Sequence, residues 1–392
     1  MNALQEMTFG SLGKIFDGPH ATPTRVDSGP YFLNISSFKS GHLDLSESDH
    51  VSDEDFSRWT RRVTPQAGDL LFSYETRLGD AALMPADIKA CLGRRMALLR
   101  PDRRVVDPKF LLYFYLSQEF QQTIEQHTVH GATVNRIPLK TMGGWPVRIP
   151  SLATQQAIAE VLGALDDKIA ANTKLATTAD ELIRASFVDL TNEATETQSI
   201  ANLATQGSEK VDPSTLAPTV PYVGLEHFTR RHLWIDNHGS SEDVTSSKSR
   251  FRRDDILFGK LRPYFHKVAL APNDGISSTD VIVVRPREAG LSGFTLAAIS
   301  SDSVIETVTA RSEGTRMPRT SWRELSLCHV PWPGEAKARQ FSEEVGNISR
   351  SIESAYTEAH SLAETRDALL PQLMSGKIRV KDAEAILQGA GV

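Results

Sequence analysis

The sequence is poor in cysteine and has no long apolar run. Its two cysteines, Cys91 and Cys328, form no CxxC pair, so a disulfide framework is excluded and a reducing cytosol is the default compartment. No segment approaches the roughly 18 apolar residues that a membrane span needs. The opening segment, MNALQEMTFGSLGKIF, lacks the basic and apolar blocks of a signal peptide. These absences predict a cytoplasmic protein with no membrane partner.

Catalytic motifs are also missing. The chain contains no GxxxxGK[ST] phosphate loop, no GxGxxG after a strand, and no GxSxG or HExxH. It also lacks the Asn/Asp-Pro-Pro-aromatic motif of amino-methyltransferases. His42 and His232 recur by position, but in turn-like segments, where a packed or solvated histidine is expected rather than a general base. We therefore predict a non-catalytic protein with no cofactor and no metal site. A nuclease or modification enzyme with unrecognised motifs remains the catalytic alternative.

What the sequence does contain is an internal repeat, the first feature to look for in a chain of this length. GDLLFSYETRLGDAALMP (68–85) and DDILFGKLRPYFHKVALAP (254–272) share an acid, three apolar residues, a polar middle and an apolar run that ends in proline. The segments SSFKSGHL and EHFTRRHL, LLRP and VVRP, GATVNRI and GTRMPRT, and VRIP and CHVP recur at offsets of 181 to 190 residues. Two copies of about 190 residues each are predicted.

Each copy has a mixed first part and a helical second part. The first part alternates β-type runs with Gly, Pro, Asp and Asn, which indicates short strands and turns. The second part is proline-free, from Leu152 to about Leu190 and from Glu335 to about Leu370. The predicted fold class is α+β and tandem-duplicated. Its boundaries are 1–150, 151–190, 191–333, 334–370 and a C-terminal tail, 371–392.

The two proline-free stretches carry apolar stripes at helical spacing. Each stripe steps by 4, 4, 3 and 3 residues, at a constant offset of 187. Such a narrow stripe predicts that the two helices pack against each other as a coiled coil, each helix being about 50 Å long for about 35 residues. An ordinary helical hairpin or dimer seam is the simpler interpretation of the same pattern. The stripe residues are Val161, Leu165, Ile169, Asn172 and Leu175, then Ile348, Ile352, Tyr356, Ala359 and Leu362.

Basic residues cluster in the first part of each copy, whereas the helices are acidic. Lys248–Lys267 holds seven basic and two acidic residues, and Glu335–Leu370 holds four basic and seven acidic ones. Copy one has similar basic runs, RWTRR and GRRMALLRPDRR. This division favours a protein that binds a polyanion through its modules and proteins through its helices. A set of merely solvated faces is the alternative.

The residues resemble the specificity (S) subunit of type I restriction–modification systems. The segment IPSLATQQAIAEVLGALDDKIAANTKLATTADELIRASF (149–187) resembles the helix that follows a target-recognition domain in that family. LPQLMSGKIRV (370–380) resembles its C-terminal segment, and GDLLFS and DDILFGKLRP resemble its strand motif. The match to the second helix is looser, and Trp332-Pro333-Gly334 stands where the family has Pro-Leu.

The resemblance implies a DNA reader that does not itself catalyse. Residues 1–150 and 191–333 would be two target-recognition domains on double-stranded DNA, related by a pseudo-two-fold axis, each reading one half of a split sequence. The antiparallel helices would space these domains and dock two methyltransferase (M) subunits. A nuclease (R) subunit is a further optional partner. Helix residues assigned to packing or docking are Val161, Leu165, Ile169, Leu175, Ile348, Ile352, Tyr356 and Leu362.

Candidate DNA contacts lie in the polar middle of each repeated motif and in the glycine-led loop before its final strand. The resemblance supports the location, and the residue chemistry supports the choice: arginine pairs with guanine, asparagine with adenine, and lysine with phosphate. In copy one the candidates are Tyr74, Arg77, Asn135 and Arg136. In copy two they are Lys260, Arg262, Tyr264, Arg316 and Arg319.

Two non-catalytic alternatives remain open. The chain could be a duplicated scaffold whose helices assemble other proteins, in which case DNA affinity should show no steep salt dependence. It could also read DNA in a related system with a different effector. Arg58, Arg61 and Arg62 are expected to be solvated rather than bound to DNA.

Overall fold

The chain folds into two compact units. The computed structural model describes residues 4–19, 22–39, 41–131, 134–312 and 317–389. Unit 1 comprises residues 1–168 and 362–392, and unit 2 comprises residues 169–361. Each unit combines one globular module with parts of both long helices, so each is built from both halves of the sequence.

Unit 1 contains the first module. Its strands are β1 (Gln5–Thr8), β2 (Gly13–Asp17), β3 (Val26–Leu33), β4 (Phe38–Lys39), β5 (His42–Leu43), β6 (Asp49–His50), β7 (Leu70–Ser73), β8 (Ala81–Leu83), β9 (Ala90–Leu92), β10 (Met96–Pro101) and β11 (Pro146–Ile149). Its short helices are α1 (Asp53–Trp59), α2 (Pro108–Leu116), α3 (Gln118–His127) and α4 (Leu139–Met142), and the long helix α5 (Leu152–Thr191) begins here. The main sheet is antiparallel with the order β2-β10-β7-β8.

Unit 2 contains the second module. Its strands are β12 (Glu196–Ser199), β13 (Ala204–Gln206), β14 (Lys210–Val211), β15 (Pro221–Val223), β16 (Gly239–Ser240), β17 (Lys248–Phe251), β18 (Ile256–Gly259), β19 (Val268–Leu270), β20 (Gly275–Ser277), β21 (Val281–Pro286) and β22 (His329–Trp332). Its short helices are α6 (Ile200–Leu203), α7 (Ser292–Ile299), α8 (Asp302–Ala310) and α9 (Trp322–Ser326). The second long helix, α10 (Glu335–Met374), begins here, and α11 (Val380–Gly389) follows it in unit 1.

The strand orders confirm the duplication. The main sheet of unit 2 has the order β13-β21-β18-β19, which reproduces β2-β10-β7-β8 strand for strand. Each module pairs its first strand with its last, β1 with β11 and β12 with β22. Each also contains one parallel pair, β3 with β9 and β15 with β20. The copies differ between these shared strands, where unit 1 inserts α1 and unit 2 forms β14 and β17.

A buried ion pair joins the same two strands in both main sheets. Asp69, just before β7, accepts hydrogen bonds from Nε and Nη2 of Arg100 at 3.0 and 2.7 Å. Asp255, just before β18, accepts the same two bonds from Arg285 at 2.8 and 2.6 Å. Both carboxylates are 2% exposed, and each also accepts a backbone N–H at 2.8 Å. Pairing and hydrogen bonding offset the cost of removing these charges from water.

The two long helices are confirmed, and each contains 40 residues. In unit 2 they run antiparallel, because Asn172 bonds to Glu358 (2.8 Å) while Phe187, four turns later on α5, lies 6.1 Å from Phe341 near the start of α10. Phe187 also contacts Phe294 of the module at 5.4 Å between ring centroids. The helices therefore belong to the core of unit 2. Helix α10 continues through Pro371 to Met374, beyond the expected end at Leu370.

The helix seam follows a heptad spacing, which corrects one predicted position. Ala176 is fully buried, whereas its neighbour Leu175 is 47% exposed. On α5, Asn172, Ala176, Ala179 and Ile183 are buried at steps of 4, 3 and 4 residues. The stripe assigned to packing or docking is otherwise internal: Val161, Leu165, Ile352 and Leu362 are buried, and Ile169, Ile348 and Tyr356 are half-buried. The buried members are packing residues and leave no surface for a partner.

Unit 1 fastens its helices to its module through polar contacts. Asp166 of α5 accepts hydrogen bonds from the hydroxyl of Tyr113 (2.5 Å) and from Arg366 of α10 (2.7 Å). Gln155, within the family-like segment, is 1% exposed. Its amide accepts the backbone N–H of Asp107 and donates to Val105 and Pro150. No helix in the described part of the chain is long and apolar enough to cross a bilayer.

Replacing Asp255 with alanine should lower the free energy of unfolding of unit 2 by about 2–4 kcal/mol, because Arg285 would keep a partly buried charge without its counter-ion. Urea denaturation followed by tryptophan fluorescence and far-UV circular dichroism measures this. Asp236→Ala removes an exposed carboxylate of the same unit and should leave the midpoint nearly unchanged. Equal midpoints for the two variants would contradict a structural role for the ion pair.

Candidate nucleic-acid interface

The two sequence segments expected to bind DNA come together in unit 1. The chain leaves β7 through Tyr74 and Glu75, and Glu75 forms an isolated antiparallel bridge with Arg136. The backbone N–H of Ile137 donates to the carbonyl of Tyr74 at 2.8 Å. Val129 and Arg136 exchange backbone hydrogen bonds of 2.9 and 3.1 Å, which close the glycine-led loop. The loop is therefore held against the end of a central strand.

Unit 2 repeats the bridge and the backbone bond that follows it. Leu261 bridges Arg319, and the backbone N–H of Thr320 donates to the carbonyl of Lys260 at 3.0 Å. The N–H of Arg262 donates to Pro318 at 2.8 Å. Two loops that lie far apart in sequence thus form one continuous edge in each unit. Arg316, one of the predicted contacts in this loop, lies outside the described residues.

Tyr74 does not occupy the predicted stacking position. Its ring is 5% exposed, because it continues the buried face of β7 into the module. Burial raises the pKa of its hydroxyl to about 12, with the carboxylates of Glu75 and Asp17 adding to the effect. A base could not stack on this ring without unfolding the strand end. Its counterpart Lys260, 186 residues later, reaches the surface instead.

Arg77 is committed to the module rather than free for DNA. Its guanidinium donates to the carbonyls of Ile35 (3.0 Å) and Phe38 (3.3 Å) and lies 2.6 Å from Asp80. These three partners join the strand end to an early loop, so a structural role replaces the predicted base contact. Asn135 and Arg136, in contrast, are exposed. Neither of their side chains has a hydrogen-bond partner within the described ranges.

In unit 2, Lys260 and Arg319 form a cationic pocket around one carboxylate. Arg319 lies 3.0 Å from Asp280, and the ammonium of Lys260 donates to the carbonyl of Thr279 at 2.6 Å. Burial lowers the pKa of Lys260, and nearby Lys210 lowers it further, as does Arg319, whereas Asp280 raises it. Three cations against one carboxylate leave a net positive field that an anion, such as a DNA phosphate, would neutralise.

The polar middle of unit 2 is a loop in which two non-glycine residues have left-handed backbone dihedral angles. Arg262 (φ 50°) and His266 (φ 50°) flank a 3-10 turn, Pro263–Phe265. The matching positions in unit 1 are Thr76 (φ 70°) and Gly79 (φ 87°). Backbone strain of this kind, of order 1–2 kcal/mol per residue, is typical of functional loops. Tyr264, at the tip, is 46% exposed and packs edge-on against Phe265.

Several cations that the sequence interpretation missed surround these edges. In unit 1, Arg62 is bound to Asp17 at 2.7 Å, and Arg94 precedes Arg95, whose carbonyl accepts the backbone N–H of Tyr74 at 3.1 Å. In unit 2 the guanidinium of Arg230 lies 4.0 Å from the ring centroid of Phe265. In the aligned repeats, Arg230 stands where copy one has Ser40. The sequence therefore did contain a signal for this residue, because the positive charge is present at this position in one copy only.

His266 is held neutral. Its ring lies 3.5 Å from the carboxylate of Asp302 and 3.4 Å from the guanidinium of Arg231. Burial lowers its pKa below the ordinary 6.5, and Arg231 and Arg184 lower it further, against the opposing effect of Asp302. Among the described residues, no group of three or more His, Cys, Asp or Glu side chains is placed to hold a metal ion.

The comparisons with known proteins fit this geometry. Residues 44–179 match the family described as the type I restriction modification DNA specificity domain. A Methanocaldococcus jannaschii protein named as the MjaX specificity subunit of a type I restriction enzyme is 27% identical over 170 residues, 40% of this chain and 38% of that protein. The HindI specificity subunit of Haemophilus influenzae is 28% identical over 127 residues, 31% of this chain and 27% of that protein. The aligned regions thus span less than half of these relatives.

A solved structure extends the likeness to nearly the whole chain. The crystal structure of the type I restriction–modification S subunit from M. genitalium has a TM-score of 0.57 at 17% identity. It covers 95% of this chain and 96% of that one. At this identity the likeness is one of fold. Together with the sequence matches, it confirms the resemblance noted in the sequence and the fold class.

Replacing His266 with asparagine should make unit 2 less sensitive to acid. Asparagine tolerates the left-handed conformation and does not titrate. Because the folded pKa of His266 is depressed, the unfolded chain binds the proton more readily, and stability is lost as pH falls below about 6.5. The variant should therefore lose less unfolding free energy than the wild type between pH 7 and pH 5, as measured by urea titration. Identical losses would show that His266 contributes no pH dependence.

Proposed function

We propose that this chain, whose residues 44–179 match the family described as the type I restriction modification DNA specificity domain, is a sequence-specific DNA reader for a bipartite target. Unit 1 reads one half of the target with its module, and unit 2 reads the other half. The chain itself performs no chemistry. The observation that carries this proposal is the duplicated edge, in which an equivalent bridge and backbone bond join the two loops in each unit while the side chains differ.

The differing side chains suit different tasks in the two units. In unit 2, Lys260 and Arg319 supply positive charge for phosphates, and the exposed ring of Tyr264 supplies an apolar contact for a base or a thymine methyl group. In unit 1, the exposed amide of Asn135 is suited to adenine, and Arg136 to guanine. Contacts of both kinds are needed, because phosphate contacts fix the register and base contacts provide specificity.

Partner proteins belong to the same proposal. We infer that two methyltransferase subunits dock on the long helices and modify the bound site, and that a nuclease subunit joins some assemblies. The buried seam cannot serve as the docking surface. Leu175 and Leu182, seven residues apart on α5, are 47% and 53% exposed and supply an outward apolar strip for one partner. The acidic character of the helices keeps this surface distinct from the DNA-binding edges.

The proposal is tested by co-expressing the chain with its candidate methyltransferase subunit in a methylation-free host and mapping modified adenines. A single split motif, modified on both strands with a fixed gap, is expected. Exchanging Ile200–Pro331 for the same segment of another module should change one half of the motif and leave the other intact. If the complex forms and the methyltransferase is competent, absence of any motif would refute DNA reading and favour a scaffold role.

Within unit 2, Tyr264→Ala combined with Arg319→Ala should weaken binding of the intact complex to its own target at least tenfold, since each contact is worth roughly 1–3 kcal/mol. The half-site read by unit 1 should be unaffected in the methylation map. Arg287→Ala removes an exposed arginine of the same unit outside the edge and serves as the matched control. Wild-type affinity in the double variant would exclude this edge from the interface.

A further inference from the structure

Helix α1 lines a cavity with a volume of about 390 Å³. The lining includes the apolar residues Trp59, Val63 and Leu92 and the basic residues Arg58, Arg61 and Arg62. In unit 2 the matching residues, 244–247, form no helix and lead directly into β17. The helix is therefore a difference between two modules that otherwise share their frame.

The charges on this cavity are not balanced by the protein. Arg62 is bound to Asp17, with 2.7 Å between Nη1 and Oδ1. Arg58 and Arg61 are exposed, and no carboxylate in the described part of the chain pairs with either one. The acids of α1 lie at its other end, where Asp53 is held by Lys89 at 2.5 Å. Two unpaired guanidinium groups beside a third, paired one leave a site that attracts an anion.

The wall of the cavity is firmly placed. The ring of Trp59 packs on Phe32, Val51 and Cys91, and its indole Nε1 is buried without a hydrogen-bond partner among the described residues. Because this nitrogen has almost no accessible surface, the cavity offers a ligand the guanidinium groups and the apolar wall rather than the indole N–H.

The cavity lies close to the end of β7, where the DNA-binding edge of unit 1 begins. Asp17, the partner of Arg62, pairs with Ala97 of β10, and the adjacent Met96 pairs with Ser73 at the end of β7. Arg94 and Arg136 are exposed, and neither forms an ion pair within the described ranges. Arg58, Arg61, Arg94 and Arg136 therefore form a set of uncommitted charges around one strand end.

We propose that this cavity holds one sugar–phosphate unit of the DNA bound by unit 1. The phosphate oxygens accept hydrogen bonds from Arg58 and Arg61, and the sugar lies on the apolar wall of Val63 and Leu92. This inference rests on the proposed function and adds to it an anchor for the DNA backbone. Because phosphate contacts fix register and carry no sequence information, the anchor strengthens binding without changing the bases that are read.

The test uses the intact complex with its methyltransferase and the double variant Arg58→Gln/Arg61→Gln. DNA affinity is measured across a range of salt concentrations on the methylated motif sequence and on an unrelated duplex. Each lost phosphate contact makes the negative slope of log affinity against log salt less steep by about 0.9. On both duplexes we therefore expect a slope less steep by about 1.8 and an affinity roughly tenfold or more weaker at about 0.15 M salt. Arg103→Gln/Arg104→Gln, two exposed arginines held by Ala67 and Asp102, should leave the slope unchanged.

The methylation map supplies an independent readout. The motif should be unchanged in Arg58→Gln/Arg61→Gln, with modification merely less complete. A wild-type salt slope in the arginine variant, or a motif relaxed at one half, would overturn the anchor while leaving the proposed function intact. If the wild-type complex shows no motif at all, the proposed function fails and the anchor fails with it.

Discussion

The ion pair between a buried aspartate and an arginine on the neighbouring strand is the constraint on which each module depends. An unpaired carboxylate at 2% exposure would be too costly to keep ionised. Asp69 and Asp255 therefore fix where Arg100 and Arg285 must lie, and with them the register of β7 against β10 and of β18 against β21. That register decides where each central strand ends. The residues after the strand end, 74–77 and 260–266, are consequently delivered to the same place in both units. The proposed DNA-binding edge is positioned by a charge pair at the opposite end of its strand.

The two edges show how one frame supports two different surfaces. The backbone bonds from Ile137 to Tyr74 and from Thr320 to Lys260 are equivalent, yet the side chains at the receiving positions are a buried phenol and a half-buried ammonium. Unit 2 places its cations on the loop itself, and unit 1 gathers them from α1 and from Arg94. Positive charge is therefore present at both edges although the chain carries a net charge of −6. Local placement, rather than composition, decides what the modules bind.

The sequence predicted the architecture well, because its evidence was periodic. The repeat and the two long helices follow from spacing, whereas the contact between the polar middle and the glycine-led loop was not predicted. It predicted single side chains poorly. Leu175 and Ala176 fit nearly the same helical stripe, and only the shape of the facing helix selects the smaller residue. Tyr74 could have faced either way at a strand end, and packing turned it inward. The cluster at Arg58 and Arg61 looked like an ordinary solvated run, because no local pattern brings Asp17 and Leu92 to its side.

The backbone bonds that hold the edge loops have a consequence for how the sequences of such proteins change. Because residues 260 and 320 are joined by backbone atoms alone, the bond survives almost any side chain between them. The left-handed positions at Arg262 and His266 are met by threonine and glycine in the other copy, so the loop conformation also tolerates new sequences. The loop can therefore change its sequence while its attachment to the module is kept. Mutation, recombination between copies or a laboratory library could replace the residues of the loop while the ion pair and the helices remain as they are, so that new specificities arise without a new fold.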